Sequence, residues 1–243
     1  MNALTTNFVR RLRDGDDSAW FELWTVFGPV LQAQLAKWGR GRVGAETVRD
    51  LSQETLAALS KSIDRYDPKR GARFSTWLLS IARHTLGDEM DRRGALKRGG
   101  GNRGVTLDET FMGASASLEA DTNYERQVFR AKVQAAVRKV ESDSDFVSFQ
   151  VYRMRVFDGM TGKDVAVQLG ISEPTVSRHL AKVRQSLRRR LAETVATFSF
   201  TDEEAREAED AGLYQDDELF DSALSEIYHQ QLQSPSSSTT DRF

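Results

Sequence analysis

Between Gly94 and Thr122 the chain is rich in Gly, Ser, Ala and Thr, with GALKRGGGNRG at its start, while on both sides of it apolar residues return at helical spacing. A stretch of that composition behaves as a flexible linker, so the domain boundary belongs there and the chain folds as two bodies. Upstream, Asp14, Gly15, Asp16 and Asp17 punctuate between a short helix carrying Phe8, Val9 and Leu12 and a second carrying Trp20, Phe21, Leu23, Trp24 and Phe27, with Asp17 as the expected N-cap. Gly28-Pro29 is expected to end that second helix. Val30, Leu31, Leu35 and Trp38 mark the next, before a glycine-interrupted turn from Gly39 to Gly44. Val48, Leu51, Thr55, Leu59 and Ile63 form one stripe of a further helix, which leaves Asp50 and Glu54 on a neighbouring face. By their spacing, Trp20, Phe21, Trp24, Phe27 and Trp38 are core residues.

Asp67-Pro68-Lys69-Arg70-Gly71 carries the chemistry of a turn: proline presets φ, Asp67 caps locally and Gly71 permits a positive φ. A long helix is expected from about Phe74 to Arg93. Its Trp77, Leu78, Ile81, Ala82 and Leu86 face inward, and Arg83, His84, Asp88, Asp91 and Arg92 face outward. Past the linker, the helical pattern returns from Tyr124 through Val128, Val133, Val137 and Val140, and another helix is expected across Phe146 to Phe157.

Composition supports an all-helical reading and narrows the function classes. A chain of 243 residues with 39% hydrophobic content can build one or two real cores, and only four prolines interrupt it. The absence of cysteine removes disulfides and thiolate metal sites and fits a reducing cytoplasm. MNALTTNFVRRLRDGDD lacks the apolar centre of a signal peptide, and no stretch is long and apolar enough to span a bilayer, so a cytoplasmic protein without membrane contact is expected. The formal charge of −2 conceals a polarised chain. Twelve acids lie beyond residue 200 beside only Arg206 and Arg242, leaving 32 basic against 24 acidic residues in the body. A basic body favours approach to a polyanion through counterion release.

The segment DLSQETLAALSKSIDRYDPKRGARFSTWLLSIARHTLGDEMDRR, from Asp50 to Arg93, joins an acidic helix, an aromatic loop and a basic helix. Asp50 and Glu54 suit a basic protein surface. Tyr66, Phe74 and Trp77 suit stacking on bases or wedging between them, and Arg83, His84, Arg92 and Arg93 suit phosphates. This order resembles region 2 of the bacterial sigma-70 family, in its compact extracytoplasmic-function group, written D-x-x-Q-E-T-F and then D-P-x-R-G-x-F-x-x-W-L-x-x-I-A-R-N. The matching residues are Asp50, Gln53, Glu54 and Thr55, then Asp67, Pro68, Arg70, Gly71, Phe74, Trp77, Leu78, Ile81, Ala82 and Arg83.

TGKDVAVQLGISEPTVSRHLAKVRQSLRRRL reads independently as a helix-turn-helix. Thr161 with Asp164 resembles a capping box, Val165 and Leu169 line one face, Gly170 allows the tight turn, and Ser172 caps a helix with Pro174 in its first turn. On that second helix Val176, Leu180, Val183, Leu187 and Leu191 make the buried stripe, leaving Glu173, Thr175, Ser177, Arg178, Lys182 and Arg184 for a DNA groove. The segment is similar to sigma region 4, G-x-S-x-x-E-I-A-x-x-L-G-I-S-x-x-T-V-K-S-R-L-x-R-A-R, through Gly159, Val165, Ala166, Leu169, Gly170, Ile171, Ser172, Thr175, Val176, Arg178, Leu180 and Arg184.

The resemblance implies an all-α fold of two small helical domains. Residues 1–95 form a region 2-like bundle, 96–122 a flexible linker, 123–196 a region 4-like helix-turn-helix domain, and 197–243 an acidic extension. It implies a binding module without catalytic residues, metal or cofactor, whose partners are core RNA polymerase, through clamp and flap surfaces, and promoter DNA. Asp50, Gln53 and Glu54 would bind the clamp. Tyr66, Arg73, Phe74, Ser75, Trp77, Arg83, His84, Asp88, Arg92 and Arg93 would handle the −10 element, offsetting an unstacking cost of a few kcal/mol per step. Ser172, Glu173, Thr175, Ser177, Arg178, Lys182 and Arg184 would read the −35 element, each good base contact contributing about 1–3 kcal/mol of discrimination.

Two departures from the family pattern bear on function. Thr47, Val48, Arg49 and Asp50 stand where the family has an acidic run, D-A-E-D, which weakens the expected clamp contact. Phosphorylation of Thr47, Ser52 or Thr55 by a kinase would restore about −1.5 to −2 of charge. His84 replaces a common asparagine and affects the expected −10 base preference. In the tail, Phe198, Phe200, Leu213, Tyr214, Leu219, Phe220, Leu224, Ile227 and Tyr228 recur among acids, and residues 222–228 suit an amphipathic helix. Its candidate partners are an anti-sigma factor, a kinase or the chain's own basic second domain; disorder is the competing expectation, above all over Ser234 to Thr240. Rival readings are a conventional helix-turn-helix regulator that binds duplex DNA without polymerase, and a metal-dependent nuclease using Asp64, Asp67, Asp88 or Asp91. The latter acids lack paired ligand spacing.

Overall fold

The computed structural model describes residues 2–66, 73–97 and 122–232. Every element among them is helical, and the chain divides into two compact units, the first taking in residues 3–131 and the second residues 132–243. The expected 67–71 turn, most of the expected linker and the serine-rich end of the tail lie outside the described residues.

In the first unit, helix α1 (Ala3–Arg13) buries Phe8, Val9 and Leu12, as their spacing predicts. The cap of α2 (Asp17–Trp38) is Asp16 rather than Asp17. Its carboxylate accepts from Ser18 N at 2.9 Å and Ala19 N at 3.3 Å, and Arg11 holds it from α1 at 2.7 Å. That bond from Arg11 draws the Asp16 carboxyl below its usual pKa. Gly28-Pro29 does not end α2, which runs unbroken to Trp38. Proline costs one backbone bond in a helix interior, but Leu23, Val26 and Phe27 before it and Val30, Leu31 and Leu35 after it are all buried, while Pro29 itself faces outward. A shared core on both flanks outweighs the local break. Gly28 is buried under the Trp24 indole, where a β-carbon would come within 2.6 Å of the ring. Phe21, expected in the core, is 70% exposed.

Helix α3 (Ala45–Ser62) buries Val48, Leu51, Ser52, Thr55 and Leu59, and a short 3-10 turn (Ile63–Arg65) leads to Tyr66. Helix α4 (Phe74–Lys97) starts where the sequence predicts and buries Phe74, Leu78, Ile81, Ala82 and Leu86. The first turns of α5 (Thr122–Asp143), with Tyr124 and Val128 buried, belong to this unit, so the boundary observed falls within α5 rather than ahead of it.

In the second unit, the rest of α5 buries Val133, Ala136, Val137 and Val140. The helix expected over Phe146 to Phe157 forms as α6 (Phe146–Tyr152) followed by a π-helical stretch (Arg153–Phe157). Then come α7 (Gly162–Leu169) and α8 (Glu173–Phe198). Thr161 caps α7 by accepting from Asp164 N at 3.2 Å, and Gly170 ends it at φ +66°, a left-handed conformation that suits glycine. Val151, Met154, Val165, Ala166 and Val176 form the core of this helix-turn-helix. The tail is folded through residue 232. Helix α9 (Asp202–Asp210) opens with a capping box between Thr201 and Glu204, and Asp216 caps α10 (Asp217–Leu232), which covers the expected 222–228 segment. Phe198, Phe200, Leu213, Phe220 and Leu224 are buried, because alternating acids and large apolar groups give each tail helix one face to bury.

Candidate nucleic-acid interface

The outer face of α3 carries Asp50 and, one helical turn on, Gln53 and Glu54, all exposed. The three hydroxyls proposed for phosphorylation occupy different settings. Ser52 and Thr55 are fully buried and donate to the Val48 and Leu51 carbonyls at 2.6 and 2.7 Å, so a kinase cannot reach them while α3 is packed. Thr47 is half-buried at the surface, its hydroxyl accepting from Arg93 Nη2 at 2.8 Å.

The aromatic residues expected to meet bases form a cluster with one another. Tyr66 stacks on Trp77 at 5.0 Å, Phe74 meets Tyr66 edge-on at 5.3 Å, and Phe27 completes the group at 5.3 Å from Phe74. Phe74 and Tyr66 are buried. In this arrangement their rings serve the core, and only the half-buried Trp77 borders solvent. Arg73 and Ser75 are likewise engaged inside the unit. The buried Glu125 carboxylate accepts from Ser75 Oγ at 2.9 Å and pairs with Arg73 at 3.3 Å. The sequence reading missed Glu125, because nothing local marks an acid fifty residues from its partner.

Along the outer face of α4, Arg83 and Asp88 are exposed and His84 is half-buried. The Arg83 guanidinium lies 4.8 Å from the Trp38 ring centroid, which fixes its stem while leaving the charge at the surface. The expected phosphate ligands Arg92 and Arg93 share one buried carboxylate, Glu89, with Arg92 Nε at 2.7 Å and Arg93 Nε at 2.6 Å. The Arg93 bond, aided by Arg92, holds the Glu89 carboxyl below its usual pKa. Arg93 also donates to the Arg42 carbonyl at 3.0 Å and so joins α4 to the turn before α3. Arg92, 69% exposed at its side chain, keeps most of its surface for a phosphate.

On α8, Glu173, Ser177, Arg178 and Lys182 are exposed, with Thr175 half-buried among them. Ser172 occupies the cap position, but its hydroxyl bonds the Thr175 hydroxyl at 2.9 Å instead of a backbone N–H. The helix is anchored to α6 by a polar ladder unmarked in the sequence. Asp145 caps α6 by accepting from Ser148 N at 2.8 Å and from its hydroxyl at 2.6 Å, and it pairs with Lys182 at 3.1 Å; Ser148 Oγ meets His179 Nδ1 at 2.7 Å. These bonds, led by the one from Ser148, hold the Asp145 carboxyl far below its usual range. Arg184 corrects the sequence reading. Its side chain is 14% exposed and turned to the tail, with Asp221 at 2.6 Å and Asp217 at 2.7 Å, and the hydrogen bonds to Asp221 raise its already high pKa.

No group of three His, Cys, Asp or Glu side chains among the described residues is arranged to hold a metal ion, and no helix among them is long and apolar enough to cross a membrane. Two family models match the chain: sigma-70 region 2 over residues 31–95 and sigma-70 region 4 over residues 148–187. No curated protein matches it. The first match runs from the last turns of α2 through α3 into α4; the second runs from within α6 through the π-helical stretch and α7 to Leu187 in α8. Two modules in the family's order, on an all-helical framework with a helix-turn-helix in the second unit, carry the binding of core polymerase and promoter DNA: this chain is a sigma factor of the sigma-70 family, in its extracytoplasmic-function group.

Proposed function

We propose that the exposed acids of α3, Asp50 and Glu54 with Gln53 between them, form the surface that meets the polymerase clamp, that the outer face of α4 guides the −10 strand, and that the N-terminal half of α8 reads the −35 element. The observation carrying this reading is where exposed charge collects: Asp50 and Glu54 stand together on the outer face of α3, beside Arg49, whereas Arg83, Arg92, Arg178 and Lys182 are exposed on the two faces assigned to DNA. An acidic face repels a polyanion and suits a basic protein surface. Glu173, Thr175, Ser177 and Arg178 lie in the first turns of α8, the part of a recognition helix that reaches base edges. Under this assignment Tyr66 and Phe74 serve the core, and Arg73 and Ser75 tie the start of α4 to Glu125.

The test is direct. The full chain should co-elute with core RNA polymerase and support run-off transcription from a subset of a promoter library; Asp50→Arg/Glu54→Arg should abolish co-elution. Arg178→Ala should lower transcription from −35-dependent promoters by about tenfold to a hundredfold, the loss of one good base contact, with polymerase binding intact. Duplex binding without any affinity for polymerase would remove the proposal.

Thr47 is the site proposed for charge restoration, since Ser52 and Thr55 face the core. A phosphate there would sit beside Arg93 and bring about −1.5 to −2 of charge to the face that carries Asp50. Thr47→Asp should strengthen polymerase co-elution in competition with wild type, and Thr47→Ala should leave it at the unphosphorylated level. Equal competition by both variants would dismiss this role.

A further inference from the structure

Helix α10 is held to the second unit by two kinds of contact. Its apolar side is deeply seated: Phe220 and Leu224 are fully buried, and Tyr228 stacks on Phe157 at 4.1 Å with the rings nearly parallel. His229 Nε2 bonds the Phe157 carbonyl at 2.8 Å. The charged side falls on α8. Arg184 is gripped by Asp221 and Asp217, and Arg188, one turn later, pairs with Asp217 at 3.2 Å while its guanidinium lies 4.3 Å from the Phe220 ring centroid. Asp221 also accepts from Tyr152 Oη at 2.8 Å. Asp217 and Asp221 share a face of α10 at i, i+4 spacing, as Arg184 and Arg188 do on α8, so the two helices meet charge for charge.

We propose that α10 is a built-in acidic ligand of the DNA-reading unit, which withholds Arg184 and Arg188 from phosphate and thereby sets the affinity of the unit for duplex DNA. The proposal rests on the assignment of α8 to DNA. An arginine held by a carboxylate neutralises no phosphate and so displaces none of the counterions condensed on the DNA, which leaves α8 with two fewer effective cations than its sequence supplies. The outer part of the contact, Asp217 with Arg188, is the part built to exchange; Arg184 and Asp221, 14% and 17% exposed at their side chains, form the firmer part. Asp217 is 65% exposed at its side chain, where ion pairs are weak and screened by salt, whereas the apolar seat of Phe220 and Leu224 keeps α10 in place when the charges part. The acids thus compete with phosphate without the tail having to unfold.

The test compares full-length chains binding a short labelled duplex by fluorescence anisotropy across a salt series. Asp217→Asn/Asp221→Asn should bind more tightly at low salt, with a log K against log salt slope steeper by about 0.9 for each arginine released. Its advantage should therefore shrink about tenfold over about a fourfold rise in salt. Glu218→Gln/Glu226→Gln removes the same charge from α10 but breaks no pair with α8; it should leave the slope unchanged, and an equal steepening there would overturn the proposal. Adding Arg184→Ala/Arg188→Ala to the Asn variant should return the slope to wild type. A gain that survives those substitutions shows that other groups meet the phosphates and also overturns it. Asp217→Asn alone leaves the Asp221–Tyr152 bond in place and serves if the double variant melts early; its expected change is one arginine's worth, and an unchanged slope refutes the idea. Transcription with core polymerase is scored separately, so a failure of the sigma-factor assignments is distinguishable from a failure of the tail contact.

Discussion

Replacing Glu204 with alanine is expected to destabilise the second unit by about 3–5 kcal/mol, the cost of leaving a buried charge without its partner. Glu204 is fully buried beside Lys132, Nζ to Oε1 3.5 Å, and the Lys132 side chain is 1% exposed. The other carboxylate oxygen accepts from Phe200 N at 2.8 Å and Thr201 N at 3.0 Å. Alanine therefore strands an ammonium and two backbone donors at once, against a total domain stability on the order of 5–15 kcal/mol. Glu207, 3.8 Å from Lys132, compensates only in part. Replacing both Lys132 and Glu204 with methionine should cost much less than the single change, because no charge is then left buried. All four tryptophans, Trp20, Trp24, Trp38 and Trp77, lie in the first unit. Circular dichroism and amide exchange over α8 should report the loss, with tryptophan fluorescence in urea following the first unit separately. A change below about 1 kcal/mol would mean that Lys132 reaches water on its own.

The complementary result is expected in the first unit. Phe74→Ala should move the tryptophan transition by about 3–5 kcal/mol, the usual range for emptying a buried phenylalanine site. The ring has no exposed surface and is enclosed by Phe27, Tyr66 and Trp77. Phe74→Leu keeps much of that volume and should retain both fold and promoter opening. If Phe74→Ala leaves the transition in place and abolishes opening alone, the ring acts on a base after all, and the packed arrangement described here is not the one that works on DNA.

These two positions show where reading the sequence succeeds and where it stops. Phe74 was legible as important, since an aromatic residue after a proline-glycine turn at the head of a helix has few neutral uses; whether it turns inward or toward a base depends on Phe27 of α2 and on Tyr66, which follows the 3-10 turn after α3. Glu204 was legible only as one acid among twelve. Its role depends on Lys132, 72 residues away.

Arg184 illustrates the same limit on α8. Helical periodicity puts it beyond the buried stripe of Val176, Val183 and Leu187 and so assigns it to a groove, yet α10 supplies a second surface there that no local pattern announces. The i, i+4 spacing shared by Arg184 and Arg188 with Asp217 and Asp221 was the available signal. Spacing alone does not say which two helices will meet.

What the sequence determined by itself was most of what short-range physics carries, the cap and the unbroken course of α2 excepted. The helical stripes, the Thr161 and Ser172 cap positions, the left-handed turn at Gly170 and the division into two bodies all follow from periods and dihedral preferences within a few residues. Tertiary structure decided which surfaces remained available. Pro29 stays inside a helix because a common core grips both flanks, Ser75 is satisfied by an acid fifty residues on, and Arg184 is claimed by an acid 37 residues on. Such pairings depend on which burial and charge contacts offset the cost of closing long loops, a balance struck over the whole folded chain rather than at any one position.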